Sequence, residues 1–132
     1  MIKVSCAVIL NKDGEILVAQ RSANMSMPLK WEFPGGKLEN NETAEVCLHR
    51  ELMEELNIEV QIIEQLPSNL HAYSNLTIEL IPFLCKYLKG AMLLKEHAQI
   101  EWVHSTELLA LDWADADVPI VKNYLNHPHA GS

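Results

Sequence analysis

Acidic residues cluster in a stretch without glycine or proline near the middle of this 132-residue chain. If the stretch is helical, Glu51, Glu54 and Glu55 project from one side within an arc of about 100°, because an α-helix turns by about 100° per residue. Like charges three or four residues apart destabilise a helix by about 0.2–0.5 kcal/mol per pair. No lysine follows any of the three at that spacing, and Arg50 is the only nearby cation. The cluster therefore needs a compensating positive charge.

A hard divalent cation would supply that charge. Mg²⁺ and Mn²⁺ prefer oxygen ligands, and Mg²⁺ usually lies between a few carboxylates and the phosphate groups of a substrate. The alternative interpretation is a solvated acidic face on a surface helix. The spacing of the three glutamates leaves both interpretations open.

The overall charge limits the kind of ligand. Ten Lys and Arg residues against 18 Asp and Glu residues give a formal net charge of −8. This balance disfavours a nucleic-acid-binding protein and a protein that binds anionic membranes, because both need a positive surface. A polyphosphate ligand would bind to such a chain only where a cation screens its charge.

The sequence around the cluster predicts strands that would position it. Apolar and β-branched residues over 2–10, 15–20, 58–63, 76–88 and 100–103 are typical of strands, and the first two should form a hairpin. Residues 21–30 show no periodicity and are expected to form a loop, followed by a short extended piece over 31–33. Pro82 lies inside the fourth strand and predicts an edge position or a bulge there.

Helices are predicted on both sides of these strands. The longest should run from Glu42 to Leu56, with Asn40 or Asn41 as its N-cap. A brief helix can begin at Ser105, and a terminal helix is expected over 118–125. Strands before, between and after helices predict an α/β fold in which a mixed β-sheet lies between helices.

The length and cysteine content indicate one domain in a reducing compartment. Residues 1–132 are expected to form a single domain, with a disordered tail over 127–132. Cys6, Cys47 and Cys85 show neither disulfide nor metal-ligand spacing and are expected to be buried thiols. The sequence has no apolar run of membrane-spanning length and no signal-peptide pattern, so a cytoplasmic location is expected.

One segment carries a strong family resemblance. Residues 35–58, GGKLENNETAEVCLHRELMEELNI, resemble the Nudix box, Gly-x5-Glu-x7-Arg-Glu-U-x-Glu-Glu-x-Gly-U, in which U is a bulky apolar residue. Its fixed positions are occupied here by Gly36, Glu42, Arg50, Glu51, Leu52, Glu54, Glu55 and Ile58. Asn57 stands where the pattern has glycine. Because asparagine tolerates the left-handed conformation that ends a helix, the turn is expected to survive.

The resemblance extends to the flanking segments. WEFPGGKLE over 31–39, VAQR over 18–21, the residue pairs 95–96 and 101–102, and the segment 116–119 look like the MutT-type branch of the family. The similarity thus covers residues 2–125 and implies an α/β/α sandwich. It also implies Mg²⁺-dependent hydrolysis of a nucleoside triphosphate to the monophosphate and pyrophosphate. The substrate implied first is 8-oxo-dGTP, removed from the nucleotide pool.

The resemblance implies roles for residues at the phosphate end of the site. The ligands of Mg²⁺ or Mn²⁺ would be Glu51, Glu54, Glu55, Glu96 and the Gly35 carbonyl. Glu51 or Glu96 would take the proton of the attacking water. Arg50 would orient a neighbouring carboxylate, and Arg21 and Lys37 would contact phosphate oxygens. Glu42 is expected to act mainly in structure, as a negative charge at the helix N-terminus.

At the base end, Phe33 would offer an apolar wall and Asp117 a carboxylate for the base. Asp117 could equally be the N-cap of the terminal helix. The other aromatic candidates for stacking, Trp31, Tyr73, Trp102 and Trp113, more often belong to a core. The six histidines show no paired metal-ligand spacing and are interpreted as structural or surface residues.

Several alternatives stay open at this point. The substrate could be a pyrimidine nucleoside triphosphate, ADP-ribose, a dinucleoside polyphosphate or the 5′-triphosphate end of RNA, and the acidic balance makes RNA the least favoured. A non-catalytic nucleotide-binding module could use the same fold. The expected partner is therefore a nucleotide, with no nucleic acid and no membrane, and no feature predicts the oligomeric state.

Overall fold

The centre of the fold is one mixed β-sheet of eight strands. The computed structural model describes residues 1–128. Its strands are β1 (Ile2–Leu10), β2 (Ile16–Gln20), β3 (Trp31–Glu32), β4 (Gly35–Lys37), β5 (Ile58–Gln65), β6 (Asn69–Tyr73), β7 (Leu76–Gly90) and β8 (Gln99–Val103). Its α-helices are α1 (Ala44–Leu56) and α2 (Val118–Leu125), with 3-10 helices at Ser105–Ala110 and Asp115–Asp117.

The strand order places β1 and β7 in the middle of the sheet. The main path runs β3-β2-β1-β7-β5, while β4 pairs with β1, β6 with β7 and β8 with β2. Strands β1 and β7 are parallel over their whole contact, and the other pairs are antiparallel. The mixed sheet predicted from the order of the elements is confirmed.

Alternation along β1 explains why a helix packs on each face. Ala7 and Ile9 belong to the apolar cluster on the α1 side, whereas Cys6 and Val8 belong to the cluster on the α2 side. Successive side chains of a strand point to opposite faces, so one buried strand serves two layers. The α1 cluster contains Leu48, Leu52 and Leu56, and the α2 cluster contains Ile120, Val121 and Tyr124. The predicted α/β fold, with a sheet between helices, is confirmed.

The two ends of α1 show one error and one success of the sequence prediction. The N-cap is Thr43, whose Oγ1 accepts a hydrogen bond from the Val46 N–H at 3.1 Å. The prediction of Asn40 or Asn41 is wrong, because Asn41 adopts a left-handed turn with φ 67° before the helix begins. At the other end Asn57 has φ 57° and ψ 44°, so asparagine does provide the expected left-handed end.

Pro82 corrects the prediction for β7, which is an interior strand. The strand pairs with β1 on one side and with β5 and β6 on the other. Pro82 lies between Leu80, where the pairing with β6 ends, and Phe83, where the pairing with β5 begins. The missing N–H therefore faces a gap between two partner strands, and the Pro82 carbonyl accepts the Leu66 N–H at 2.9 Å.

Two strands were not predicted, and both contribute to the site. Strand β4 consists of residues that read as a plain turn, and β6 lies in a segment without a clear apolar run. Strand β4 is three residues long and too short to show alternation, whereas β6 alternates polar and apolar residues but contains no β-branched residue; each pairs with a neighbour, β1 or β7. Their positions follow from tertiary pairing.

The sequence also led to predictions for the three cysteines and for the end of the chain. Cys6, Cys47 and Cys85 are buried and free, as predicted. Neither helix within residues 1–128 is long and apolar enough to cross a membrane. Of the tail predicted to be disordered, residues 129–132 lie outside the described part, while the His127 N–H donates to the Tyr124 carbonyl at 2.9 Å.

Candidate active site

A cleft of about 570 Å³ opens between α1, the β3–β4 segment and the β6–β7 hairpin. Small-molecule sites commonly have volumes of about 300–1,000 Å³. Predicted site residues that line it are Arg21, Phe33, Gly35, Lys37, Glu55, Glu96 and Asp117. Arg50, Glu51 and Glu54 are outside the lining and precede Glu55 on α1. The fold thus gathers residues separated by almost one hundred positions around one space.

Arg50 compensates most of the acidic cluster. Its Nε lies 2.5 Å from Glu42 Oε2, and its Nη1 lies 3.1 Å from Glu54 Oε2 and 3.3 Å from Glu51 Oε1. The hydrogen bond from Arg50 lowers the pKa of Glu42 to about 2. Glu42 therefore acts by bracing this arginine, which corrects the expectation that it acts mainly on the helix N-terminus. Part of the charge that the sequence assigned to a metal is supplied inside the helix.

Gly36 allows β4 to pass close to α1. A Cβ at this position would overlap the side chain of Glu51, and one at Gly35 would overlap the backbone of Ser5 and Cys6. Both glycines pair with β1, so they are strand residues and not the plain turn that their neighbouring proline suggests. Their small size brings the β4 backbone against both β1 and the acidic face of α1.

Glu55 is the member of the cluster without an ion pair among residues 1–128, although the His97 side chain acts to lower its pKa. Its Oε2 is buried and has no hydrogen-bond partner among residues 1–128. Burial, followed by the charge of Glu51, raises the pKa of Glu55 to about 7, and Glu96 and Glu32 add to the same shift. Burial also raises the pKa of Glu51. The uncompensated negative charge is therefore concentrated where α1 meets the cleft.

The donor set fits a hard divalent cation. Within residues 1–128, no three carboxylate, imidazole or thiol groups are assembled into a ready-made metal site. The groups that converge on Glu55 are nevertheless carboxylates, and its unpartnered oxygen faces repulsion that a cation would relieve. Mg²⁺ is commonly bound by one or two carboxylates together with substrate phosphates and water. The arrangement suits that mode of binding.

Asp117 also lines the cleft and is buried, and the charges that act on it are those of Glu32 and Arg21. Its Oδ2 accepts the Phe33 N–H at 2.8 Å, and no side-chain bond caps α2. Asp117 therefore occupies the N-cap position of α2, as the alternative predicted, but its side chain does not cap the helix. Burial raises the pKa of Asp117 to about 8 against the opposing effect of the Phe33 N–H; the Glu32 charge raises it further, and Arg21 lowers it. This carboxyl is held mostly neutral at physiological pH.

Aromatic residues support this part of the cleft from behind. The Phe33 ring packs on Trp113 with ring centroids 4.7 Å apart. Of the four other aromatic candidates, Tyr73 lines the cleft, and its hydroxyl lies 3.5 Å from Met27 Sδ. Trp31 is buried, and Trp102 packs on Tyr87. Phe33 and Tyr73 are thus the members of this aromatic set that line the cleft, and Phe33 is the more buried of the two.

Arg21 and Lys37, the two predicted phosphate contacts, differ in the contacts that they already make to other protein groups. The Arg21 guanidinium is 2.7 Å from Glu32 Oε1 and donates to the Ser26 carbonyl and hydroxyl. Lys37 is exposed at the edge of the cleft. Its ammonium group is therefore the more accessible of the two cations.

Glu32 and His97 line the cleft and were not predicted as site residues. The His97 Nε2 is 2.6 Å from Glu32 Oε2, and the His97 side chain is 3% exposed. His97 directly follows Glu96, but its spacing to other ligand-type residues is irregular. The contact between Glu32 and His97 forms because the loop after β7 folds over β3, and no local sequence pattern predicts that fold.

Comparison with known proteins gives one consistent family. The model of the NUDIX domain matches residues 1–124. The chain is 36% identical over 125 residues to the CTP pyrophosphohydrolase of Escherichia coli K12, covering 95% of this chain and 92% of the relative. It is 32% identical over 120 residues to the 8-oxo-dGTP diphosphatase of the same organism, covering 91% and 93%.

Solved structures agree with these relatives. The solution structure of the Escherichia coli ORF135 protein superposes with a TM-score of 0.84 at 35% identity, covering 96% of this chain and 89% of that one. The MutT protein of a methicillin-resistant Staphylococcus aureus superposes with a TM-score of 0.76 at 41% identity, covering 95% of each chain.

Substitution of the two neighbouring glutamates, Glu54 and Glu55, should have different effects on the stability of the metal-free protein. Glu55→Gln is expected to raise the melting temperature at about pH 8.5, because ionisation of a group with a raised folded pKa opposes folding. Glu54 is exposed and pairs with Arg50. Glu54→Gln should therefore leave the melting temperature unchanged or slightly lower, since surface pairs contribute about 0–1 kcal/mol. Calorimetry in EDTA, with the exposed Glu101→Gln as control, measures both. A destabilised Glu55→Gln protein would contradict the assignment of Glu55.

Asp117 should make stability depend on pH. Its pKa rises from the ordinary 3.8 to about 8 on folding, so the folded protein binds the extra proton between these values. Stability is therefore expected to fall as pH rises through that window. Asp117→Asn keeps an acceptor for the Phe33 N–H and should stabilise the protein increasingly across the window. Thermal melts over this pH range, with exposed Asp115→Asn as control, test this; a gain independent of pH would contradict it.

Proposed function

The chain belongs to the NUDIX domain family and is a Nudix hydrolase, and we propose that it cleaves a nucleoside triphosphate to the monophosphate and pyrophosphate with Mg²⁺. The observation that carries this proposal is the polarity of the cleft. One region of the cleft is formed by the carboxylates that act on Glu55, and the other is the buried Asp117 carboxyl that accepts the Phe33 N–H; we call these its two ends. A polyphosphate with a cation suits the first end, and a base suits the second.

The acidic end would hold the metal. Mg²⁺, or Mn²⁺ in its place, supplies charge for the polyphosphate and lowers the pKa of a coordinated water when bound. The residues proposed to hold it are Glu51, Glu54, Glu55, Glu96 and the Gly35 carbonyl. Arg50 keeps Glu51 and Glu54 in place through its ion pairs. Glu51 and Glu96 are the two proposed acceptors for the proton of the attacking water.

The cations at the cleft are proposed to bind the phosphate chain. Lys37 is exposed, and its ammonium group can turn toward phosphate oxygens without breaking a described ion pair. Arg21 is shared with Glu32 and Ser26, so its contribution to phosphate binding would use its remaining donors. Both residues contact substrate in this proposal. Lys37 can do so without losing an ion pair, whereas Arg21 already binds Glu32 and Ser26.

The base end favours 8-oxo-dGTP as the substrate. A neutral Asp117 carboxyl offers both a donor and an acceptor. Guanine presents two acceptors, N7 and O6, on its major-groove edge, whereas oxidation at C8 places a hydrogen on N7 and leaves O6 as acceptor. The neutral carboxyl matches the oxidised edge and not the normal one. Removal of oxidised nucleotides from the pool is the proposed role.

CTP is the second candidate, and the same carboxyl supports it. Cytosine places a donor at N4 beside an acceptor at N3, which also matches one donor and one acceptor on Asp117. A relative that covers nearly this whole chain is named a CTP pyrophosphohydrolase. Both candidates therefore place Asp117 against the base edge and Phe33 against its face.

The setting of the reaction is proposed on the same grounds. Residues 1–132 would form one Nudix domain acting in the cytoplasm on free nucleotides, with neither a nucleic-acid nor a membrane partner. The net charge of −8 supports this, because a negative surface repels other polyanions. A binding module without catalysis is set aside, since the chain is a Nudix hydrolase.

Product analysis tests the reaction. Incubation in ¹⁸O-labelled water with Mg²⁺ and 8-oxo-dGTP should yield monophosphate and pyrophosphate, because the acidic end holds the leaving pyrophosphate. EDTA or Glu55→Gln should abolish turnover, while exposed Glu101→Gln should not. Diphosphate and orthophosphate as first products would refute this reaction. Preferred cleavage of ADP-ribose or a dinucleoside polyphosphate would refute the substrate class.

Two substitutions test how Asp117 recognises the base. Asp117→Ala should lower kcat/KM for 8-oxo-dGTP and CTP by about tenfold or more relative to dGTP, because a buried partner of the base edge is lost. Asp117→Asn keeps one donor and one acceptor, so the ranking of the three nucleotides should be retained. Steady-state measurement of kcat/KM for 8-oxo-dGTP, CTP and dGTP with each variant tests these expectations. An unchanged ranking in the alanine variant would place recognition elsewhere, and a reversed ranking in the asparagine variant would mean that the ionised carboxylate binds the base.

A further inference from the structure

The loop that carries Glu96 has a single buried residue. Within residues 91–98, all of which are described, His97 is 7% exposed and every other residue is exposed or partly exposed. The loop has no helix or strand of its own. Backbone bonds hold its two ends, from the Leu93 N–H to the Leu56 carbonyl and from the Ala98 N–H to the Gln20 carbonyl, each at 2.9 Å. Between these points the His97 side chain is the internal anchor.

The partner of this anchor is itself fixed. Glu32 lies on β3, in register with Ala19 of β2. One of its carboxylate oxygens is 2.6 Å from His97 Nε2, and the other is 2.7 Å from Arg21 Nη1. A carboxylate held on both oxygens has little rotational freedom. The imidazole of His97 is therefore tied to the sheet and not to another mobile loop.

Fixing His97 also fixes the residue before it. Adjacent Cα atoms are about 3.8 Å apart, so the backbone of Glu96 follows any displacement of His97. Glu96 is exposed and lines the cleft, and its charge acts on both Glu51 and Glu55. The buried polar atoms without partners in residues 1–128 include His97 Nδ1 and Glu55 Oε2, on two residues that line this same cleft.

We propose that His97 is a positioning residue, whose hydrogen bond to Glu32 holds the loop so that Glu96 is presented to the metal end of the cleft. His97 acts through Glu96 and does not itself contact substrate. The inference rests on the proposed Mg²⁺-dependent function. It differs from an ordinary structural role, in which His97 would stabilise the fold without affecting the acidic cluster.

A double-mutant cycle on metal binding tests the inference without any turnover. The four proteins are wild type, His97→Leu, Glu96→Gln and the double variant, each titrated with Mn²⁺ and followed by electron paramagnetic resonance. Loss of a group that orients a ligand typically weakens metal affinity by about 10–100-fold. His97→Leu is expected to weaken Mn²⁺ binding by at least tenfold when Glu96 is present. It should add nothing when Glu96 is already replaced.

Matched variants separate positioning from stability. His97→Gln places an amide nitrogen near the position of Nε2 and should restore Mn²⁺ binding, because the bond to Glu32 is regained. His49→Gln, an exposed histidine on α1, is the control and should have no effect. If His97→Leu melts below the assay temperature, His97→Asn replaces it in the cycle, since its shorter side chain does not reach Glu32.

The outcomes distinguish this inference from the function on which it rests. Unchanged Mn²⁺ affinity in the His97 variant, or an equal loss with and without Glu96, overturns the positioning role. Failure of the glutamine variant to restore binding also overturns it. Absence of Mn²⁺ binding by the wild-type protein contradicts the proposed metal-dependent function instead.

Discussion

Repulsion between carboxylates is the constraint around which the site is built. Five of them, Glu32, Glu51, Glu55, Glu96 and Asp117, act on one another across or beside a single cleft, in a chain that already carries a net charge of −8. Arg50 offsets the acidic residues of α1, and Arg21 with His97 offsets Glu32. Glu55 and Asp117 are left without an ion pair among residues 1–128, and burial is the main cause that raises the pKa of each, against the opposing effects of His97 on Glu55 and of the Phe33 N–H and Arg21 on Asp117. These are the two carboxyls whose pKa is raised furthest, to about 7 and about 8.

The sheet makes this concentration of charge possible. Because β1 is buried on both faces, α1 and α2 pack on opposite sides of the same strand, and each contributes about 1.5–3 kcal/mol for every leucine or isoleucine that it buries fully. That apolar stabilisation offsets the cost of the enclosed carboxyls. The glycines of β4 then bring a third element against both β1 and Glu51. A larger residue at Gly35 would collide with the β1 backbone, and one at Gly36 would displace the Glu51 side chain.

Local patterns in the sequence predicted the part of the site that lies on one element. The spacing of Glu51, Glu54 and Glu55 placed them on one side of α1, and helical geometry predicted the approach of Arg50 to Glu54. Thr43 was missed because two asparagines with equal capping ability precede it. Pro82 was misread because the pairing of β7 changes partners at that residue, which only the tertiary structure reveals.

Contacts between distant elements could not be predicted in the same way. The bond between Glu32 and His97 joins residues 65 positions apart and depends on how a loop without regular structure folds over β3. The burial of Asp117 likewise depends on the Phe33 backbone, 84 positions away. Residue type left Asp117 open as a contact for the base or a helix cap, and His97 open as a structural or surface residue. Their enclosure, which gives both residues their chemical character, is a property of the folded chain.

Glu32 connects the two ends of the cleft electrostatically. Its charge contributes to the raised pKa of both Glu55 and Asp117, although these carboxyls serve different parts of a bound nucleotide in the proposed function. Arg21 contacts one oxygen of the Glu32 carboxylate, and His97 contacts the other. Removal of either partner would leave a partly buried carboxylate less compensated, and its repulsion would increase at both ends together. The pKa of Asp117 and the pKa of Glu55 therefore depend on the same pair of contacts.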